Sequence, residues 1–225
     1  MPARFQYAPQ RPENSLCQNS YLILCNAHDA SSSFLEIFDT VRRSRHARGT
    51  PTDEEQDLLR AMLTFASAGL DSLVKQLVRD TLPDVIDKNP GAGEIFRTHI
   101  ERRIVRGEGI DHRLLADVLS NQEPRSRLIE ILIQDLTSQS LQSTDQLLRV
   151  GAFFDIPSKE IARNPNHLSD IFHARNQIVH EMDIDFDQPN RNRRPRARQT
   201  MMTYTNTIFQ VSNAFLKDVD RRLIM

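Results

Sequence analysis

The sequence predicts an all-α fold, and three observations predict it. Glycine is scarce, with 7 in 225 residues, and the charged and aliphatic residues that dominate the chain are strong helix formers. Helix-start signatures recur, the clearest being Thr52-Asp53-Glu54-Glu55, a capping residue followed by acids in the first turn. Behind that start, Leu58, Leu59, Met62, Leu63, Phe65, Leu70, Leu73, Val74, Leu77 and Val78 form a broad apolar stripe. A stripe that wide suits a helix at the centre of a bundle.

The remaining elements follow in order. Residues 1–15 hold three prolines and little periodicity, so they read as a flexible, extended or disordered arm. Residues 16–225 then read as a single helical domain, without internal repeat or change of composition. A first helix is expected over 17–45, with Leu24, Phe34, Leu35 and Phe38 among its apolar positions. The helix from 53 should run to about 82, with Pro83 near its end, and Asn89-Pro90-Gly91 marks a turn. Shorter helices are expected across 92–105, 112–119 and 124–139. Ser143-Thr144-Asp145 starts another, reaching Phe154, and Pro157 opens a short segment. Asn164-Pro165-Asn166 breaks the chain before a helix over 167–182, capped by Asn166. The polar stretch 183–197 contains two prolines and reads as a loop. The final helix, about 198–223, carries Met202, Ile208, Phe209, Val211, Phe215, Val219 and Leu223.

Bulk properties exclude more than they name. A net charge of -1, from 29 basic and 30 acidic residues, gives whole-molecule electrostatics no preferred partner, so any nucleic-acid binding must come from local clusters. Cys17 and Cys25 are the only cysteines, which argues against a disulfide framework and for free thiols in a reducing cytoplasm. Residues 1–19 lack a signal-peptide core and no 18-residue apolar run occurs, so a cytoplasmic protein with no membrane association is expected.

The most informative segment is Arg175-Asn176-Gln177-Ile178-Val179-His180. At 3.6 residues per turn, Asn176 and His180 fall roughly 100° and 140° around the helix from Arg175. Ile171, Phe172, Ile178, Val179 and Met182 fall within about 60° of it on either side. A permanent charge therefore lies near the centre of an apolar stripe, with a titratable imidazole on its polar edge. Burying that charge without a partner would cost several kcal/mol or more, so something anionic should meet it. An internal carboxylate such as Asp71 is one such partner, leaving His180 an ordinary histidine near a helix C-terminus.

Arg-Asn-x-x-x-His in a helix, late in an all-α chain and followed by one long helix, resembles the HEPN superfamily. Those proteins are four- to five-helix bundles built around an Arg-x(4–6)-His motif, often with asparagine directly after the arginine. Arg175, Asn176 and His180 match that pattern residue for residue, and the long helix from about 53 and the final helix sit where the family would place them. The resemblance implies a HEPN-like helical bundle with a long C-terminal helix. It also implies a metal-independent, cofactor-free endoribonuclease, working as a homodimer in which two motif helices form a composite site. Such proteins serve in toxin–antitoxin pairs, CRISPR effectors and phage defence, so an antitoxin or defence protein would be a partner. A non-catalytic member would instead bind RNA or a protein.

The residue types suit the chemistry. The RNA 2′-hydroxyl attacks the adjacent phosphate, one proton is removed, another reaches the leaving 5′-oxygen, and a dianionic phosphorane must be stabilised. An imidazole with pKa near about 6.5 can move either proton. A guanidinium offers phosphate oxygens a planar fork of donors. These considerations assign His180 to acid–base work, Arg175 to the phosphate and Asn176 to orientation. His173, one seven-residue step from His180, is placed to assist or to contact RNA, or is simply a solvated face residue. Arg191, Arg193, Arg194, Arg196 and Arg198 follow the motif helix directly and form either an RNA-tracking loop or a solvated one. His167, His173 and His180 lack zinc-ligand spacing, so no metal is expected. Arg42, Arg43, Arg45, His46 and Arg48 read as a helix end complementing the macrodipole.

Overall fold

Thr52 begins the element around which the rest is organised. Its Oγ1 accepts from the Glu55 backbone N–H at 3.4 Å while Glu55 Oε2 accepts from the Thr52 N–H at 2.9 Å, a reciprocal capping box. From there helix α2 runs Asp53–Lys88. The computed structural model describes residues 5–46, 48–106, 112–141 and 143–224. Among these, α2 is the longest helix, flanked by α1 (Gln18–Ser44), α3 (Pro90–Arg106), α4 (His112–Ser120) and α5 (Pro124–Thr137). Helices α6 (Thr144–Phe153), α7 (Ser158–Ile161), α8 (Pro165–Glu181) and α9 (Arg198–Ile224) complete the chain. The fold is all-helical, with a long C-terminal helix and no strand among the described residues. None of these helices is long and apolar enough to cross a membrane.

Helix α2 packs along α1 and α9 and also touches α3, α5 and α8. Leu59, Met62, Leu63, Leu73, Val74, Leu77 and Val78 are wholly buried, as the stripe predicts, whereas Phe65, also counted in it, is exposed. The approach of α1 to α2 requires Gly69, because a Cβ there would stand 2.2 Å from the Ala27 Cβ. Contrary to the expected stop near 82, α2 passes through Pro83 and ends at Lys88. Leu82, Val85 and Ile86 are buried, and that burial outweighs the hydrogen bond the proline cannot make. Asn89 then starts α3 without an intervening turn: its Oδ1 accepts from the Ala92 N–H at 3.0 Å.

The N-terminal arm is extended, and over residues 5–14 its backbone bonds to side chains of α9. The backbone N–H groups of Gln6 and Gln10 donate to Asn206 and Asn213, and those of Glu13 and Asn14 to Asp220, at 2.8–3.0 Å. Phe5 is buried edge-on against Phe209, ring centres 5.1 Å apart. The side chains of α9 thus supply the hydrogen bonds that a non-helical segment cannot make internally. The basic stretch at the end of α1 has a specific anchor as well. Arg42 and Arg45 both pair with Glu55, at 2.9 and 3.1 Å, and that carboxylate is almost fully buried.

Candidate functional site

The motif helix starts two residues earlier than the sequence suggests. The Asn164 side chain, rather than that of Asn166, accepts from the His167 N–H at 3.1 Å. Pro165 occupies the first turn, where its fixed φ favours a helix and its missing donor costs nothing. At the other end Met182 and Asp183 take left-handed conformations, φ 52° and 60°, and the Asp183 N–H closes on the Gln177 carbonyl at 2.8 Å. Two consecutive non-glycine residues in that region carry strain. The Asp183 side chain compensates: it is fully buried and accepts from Arg60 Nε at 2.7 Å and Arg196 Nε at 2.9 Å.

Leu168, Ile171, Phe172 and Ala174 bury one face of α8. The apolar stripe flanking Arg175 is covered only in this first half. Ile178 is half-buried, whereas Val179, Met182 and, in the following loop, Phe186 are 40%, 65% and 55% exposed. Arg175 stands at the boundary, half-buried. Burial pulls its guanidinium below the ordinary range, opposed by the negative charge of Asp71, though an arginine stays charged regardless. Asp71 is not a direct partner. Its oxygens accept from the Leu141 N–H at 2.7 Å and Lys75 Nζ at 3.1 Å, and no carboxylate among the described residues lies within ion-pair distance of Arg175. The guanidinium instead donates through Nη1 to Asn176 Oδ1 at 3.0 Å. Beside it opens a cleft of about 90 Å³ lined by Ser67, Asp71, Ser140, Phe172 and others.

His180 is exposed in the last turn of α8. His173, also exposed, lies 2.9 Å through Nε2 from Gln177 Nε2. Arginine, asparagine and imidazole thus share the second half of one helix, at its exposed end.

The arginine loop is arranged differently from a free basic strand. Arg193 pairs with Asp57 at 2.6 Å, Arg194 with Glu181 at 3.1 Å, and Arg196 with Asp183. Arg198 grips Asp39 with two donors, at 2.7 and 2.8 Å. Only Arg191 of the five is exposed without an ion pair among the described residues. The other four hold the loop against α2, α8 and α1.

Sequence reasoning missed Arg60 and Asp183, the buried pair that fixes the end of α8 against α2. The signal was present: Arg60 interrupts the buried face of α2 between Leu59 and Leu63, and a charge there demands an acid.

No family model, curated protein or solved structure matches the chain.

Proposed function

We propose that the protein is a metal-independent endoribonuclease of HEPN type, serving prokaryotic toxin–antitoxin or antiphage defence in the cytoplasm. The observation that carries this reading is Arg175: a half-buried guanidinium with no carboxylate partner among the described residues, bonded to Asn176, on the helix that exposes His180. A phosphodiester would supply the missing negative charge. Arg175 holds the phosphate oxygens, Asn176 steadies that guanidinium through its amide oxygen, and His180 transfers the proton. The RNA 2′-oxygen forms its bond to phosphorus, the bond to the 5′-oxygen breaks, and the products carry a 2′,3′-cyclic phosphate and a 5′-hydroxyl. The exposed Val179 and Met182, which continue the stripe of Arg175, and Phe186 in the loop that follows support a homodimer through the motif helix, where a second copy would cover them.

The test is incubation of purified protein with mixed RNA in EDTA, reading fragment ends. Cleavage to cyclic ends should fall about 10²–10⁴-fold in His180→Ala, and Arg175→Ala should lose it as well while remaining folded. Wild-type activity in either variant rejects the assignment. The alternative is a non-catalytic helical module that binds RNA or a partner protein. The internal pairing of Arg193, Arg194, Arg196 and Arg198 favours its protein-binding form over its RNA-binding form. Absence of cleavage together with a stable complex on a protein ligand would establish that alternative.

A further inference from the structure

Away from the motif helix, α3 and α6 line a groove open to solvent, of about 370 Å³. Its walls include Ile95 and Phe153, and the Phe153 ring meets that of His99 edge-on, centres 5.2 Å apart. Its mouth is cationic. Arg102 comes from α3 and Arg149 from α6; both are exposed, and neither forms an ion pair among the described residues. The acid at the same mouth does not neutralise them, because Glu94 is clasped by its own neighbour Arg97, at 2.6 and 2.9 Å. Arg103 nearby is balanced by Asp135 at 2.6 Å.

His99 registers this excess of positive charge. Burial, reinforced by Arg103, Arg149 and Arg102 and opposed by Asp135, pushes its imidazole below the ordinary range. Its Nε2 is shut off from solvent without a partner. The neighbouring groove beside Arg125 differs. There Arg97 faces both Glu94 and Glu101 and Arg125 faces Asp87, so no positive charge is left over.

Two unneutralised guanidinium groups lining one apolar-walled groove favour an anion there, and their planar forks match phosphate oxygens. The volume lies within the range of small-molecule sites, about 300–1,000 Å³. We infer that this groove is a binding site for a small phosphate ester, with the phosphate between Arg102 and Arg149 and a short apolar body against Ile95 and Phe153. It does not depend on the nuclease reading and shares no residue with the Arg175 cleft.

The experiment is calorimetric titration of the full chain at low salt with inorganic phosphate, phenyl phosphate, phenol and an RNA oligonucleotide bearing a 5′-hydroxyl. Phenyl phosphate should bind more tightly than phosphate, and phenol should not bind. Arg149→Glu and Arg102→Glu, at exposed positions, should each weaken phenyl phosphate at least about tenfold without changing the unfolding temperature, since charge-assisted contacts contribute roughly 1.5–3 kcal/mol. Arg149→Lys should retain part of the affinity, and Arg175→Ala all of it. The site is refuted if phenyl phosphate fails to bind, if phenol binds as well, or if both charge reversals leave affinity unchanged. Binding of RNA alone through Arg102 and Arg149 would likewise refute the small-ligand assignment.

Discussion

Two buried groups show how single residues set behaviour that no surface inspection suggests. Asp183 is fully enclosed and faces Arg60 and Arg196. Its removal takes the buried carboxylate from two guanidinium groups, leaving the buried Arg60 the more exposed Asp57 at 3.0 Å as its closest acid and Arg196 the Gln177 amide oxygen. Asp183→Ala should therefore cost about 3–5 kcal/mol in urea unfolding, far beyond an ordinary surface change. A loss below about 1 kcal/mol would mean that solvent already reaches the pair. Cys17 makes a different case. Burial, with the nearby charge and hydrogen bond of Asp220, raises its thiol to about 12. The sign follows from proton binding: between the usual thiol range and about 12 the folded chain keeps a proton that the unfolded chain has lost. Stability should thus be intact below about pH 8.5 and decline as pH rises beyond it. Comparing unfolding free energies of the wild type and Cys17→Ser from pH 8 to 11 measures this, and parallel curves would refute it. The same burial should leave Cys17 unmodified by a thiol reagent at pH 8 until the protein is unfolded.

At the scale of helices, close packing decides more than propensity does. Alanine is favoured over glycine by about 1 kcal/mol in a helix interior, yet Gly69→Ala would drive a Cβ to within 2.2 Å of the Ala27 Cβ. Overpacking typically costs about 1–3 kcal/mol. Gly69→Ala should therefore lower the unfolding free energy, and adding Ala27→Gly should recover most of the loss. No recovery in the double variant would place the strain elsewhere. Where elements begin was legible whenever the signal was local. Thr52 and Ser143 cap their helices as their neighbours in sequence suggest. The end of α2 and the start of α8 were less legible, because Pro83 and the Asn164–Asn166 segment are ambiguous until tertiary burial is known. Pro83 was passed over because Val85 and Ile86 have a core to enter. The arginine loop was the least legible part. Its partners Asp39 and Asp57 lie more than a hundred residues away, and nothing in the loop distinguishes paired arginines from solvated ones. Of the candidate site, sequence placed Arg175, Asn176 and His180 on one helix. It did not reveal that Asp71 would be engaged by Lys75 and the Leu141 backbone, leaving Arg175 to Asn176.

For the whole molecule, the distribution of burial bears on assembly. The core runs continuously from Phe5 through α2 to Leu223, so the bundle does not need a second copy to cover its interior. The surface beyond Arg175 is different, because Val179 and Met182 continue the same apolar stripe into solvent. Under the proposed composite site, that open end is where two copies meet, and each Arg175 would face a phosphate between them. Fold and activity should then separate cleanly. Val179→Glu places a charge on an already exposed helical position, so helicity and unfolding temperature should stay near the wild type, within about 0.5 kcal/mol. Two such charges facing each other across the seam would be poorly hydrated and repulsive. Light scattering should report a monomer for this variant, and RNA cleavage in EDTA should fall with the loss of the dimer. A monomeric Val179→Glu protein that cleaves at the wild-type rate would show that one α8 suffices, and the composite arrangement would have to be abandoned even if His180 and Arg175 proved essential.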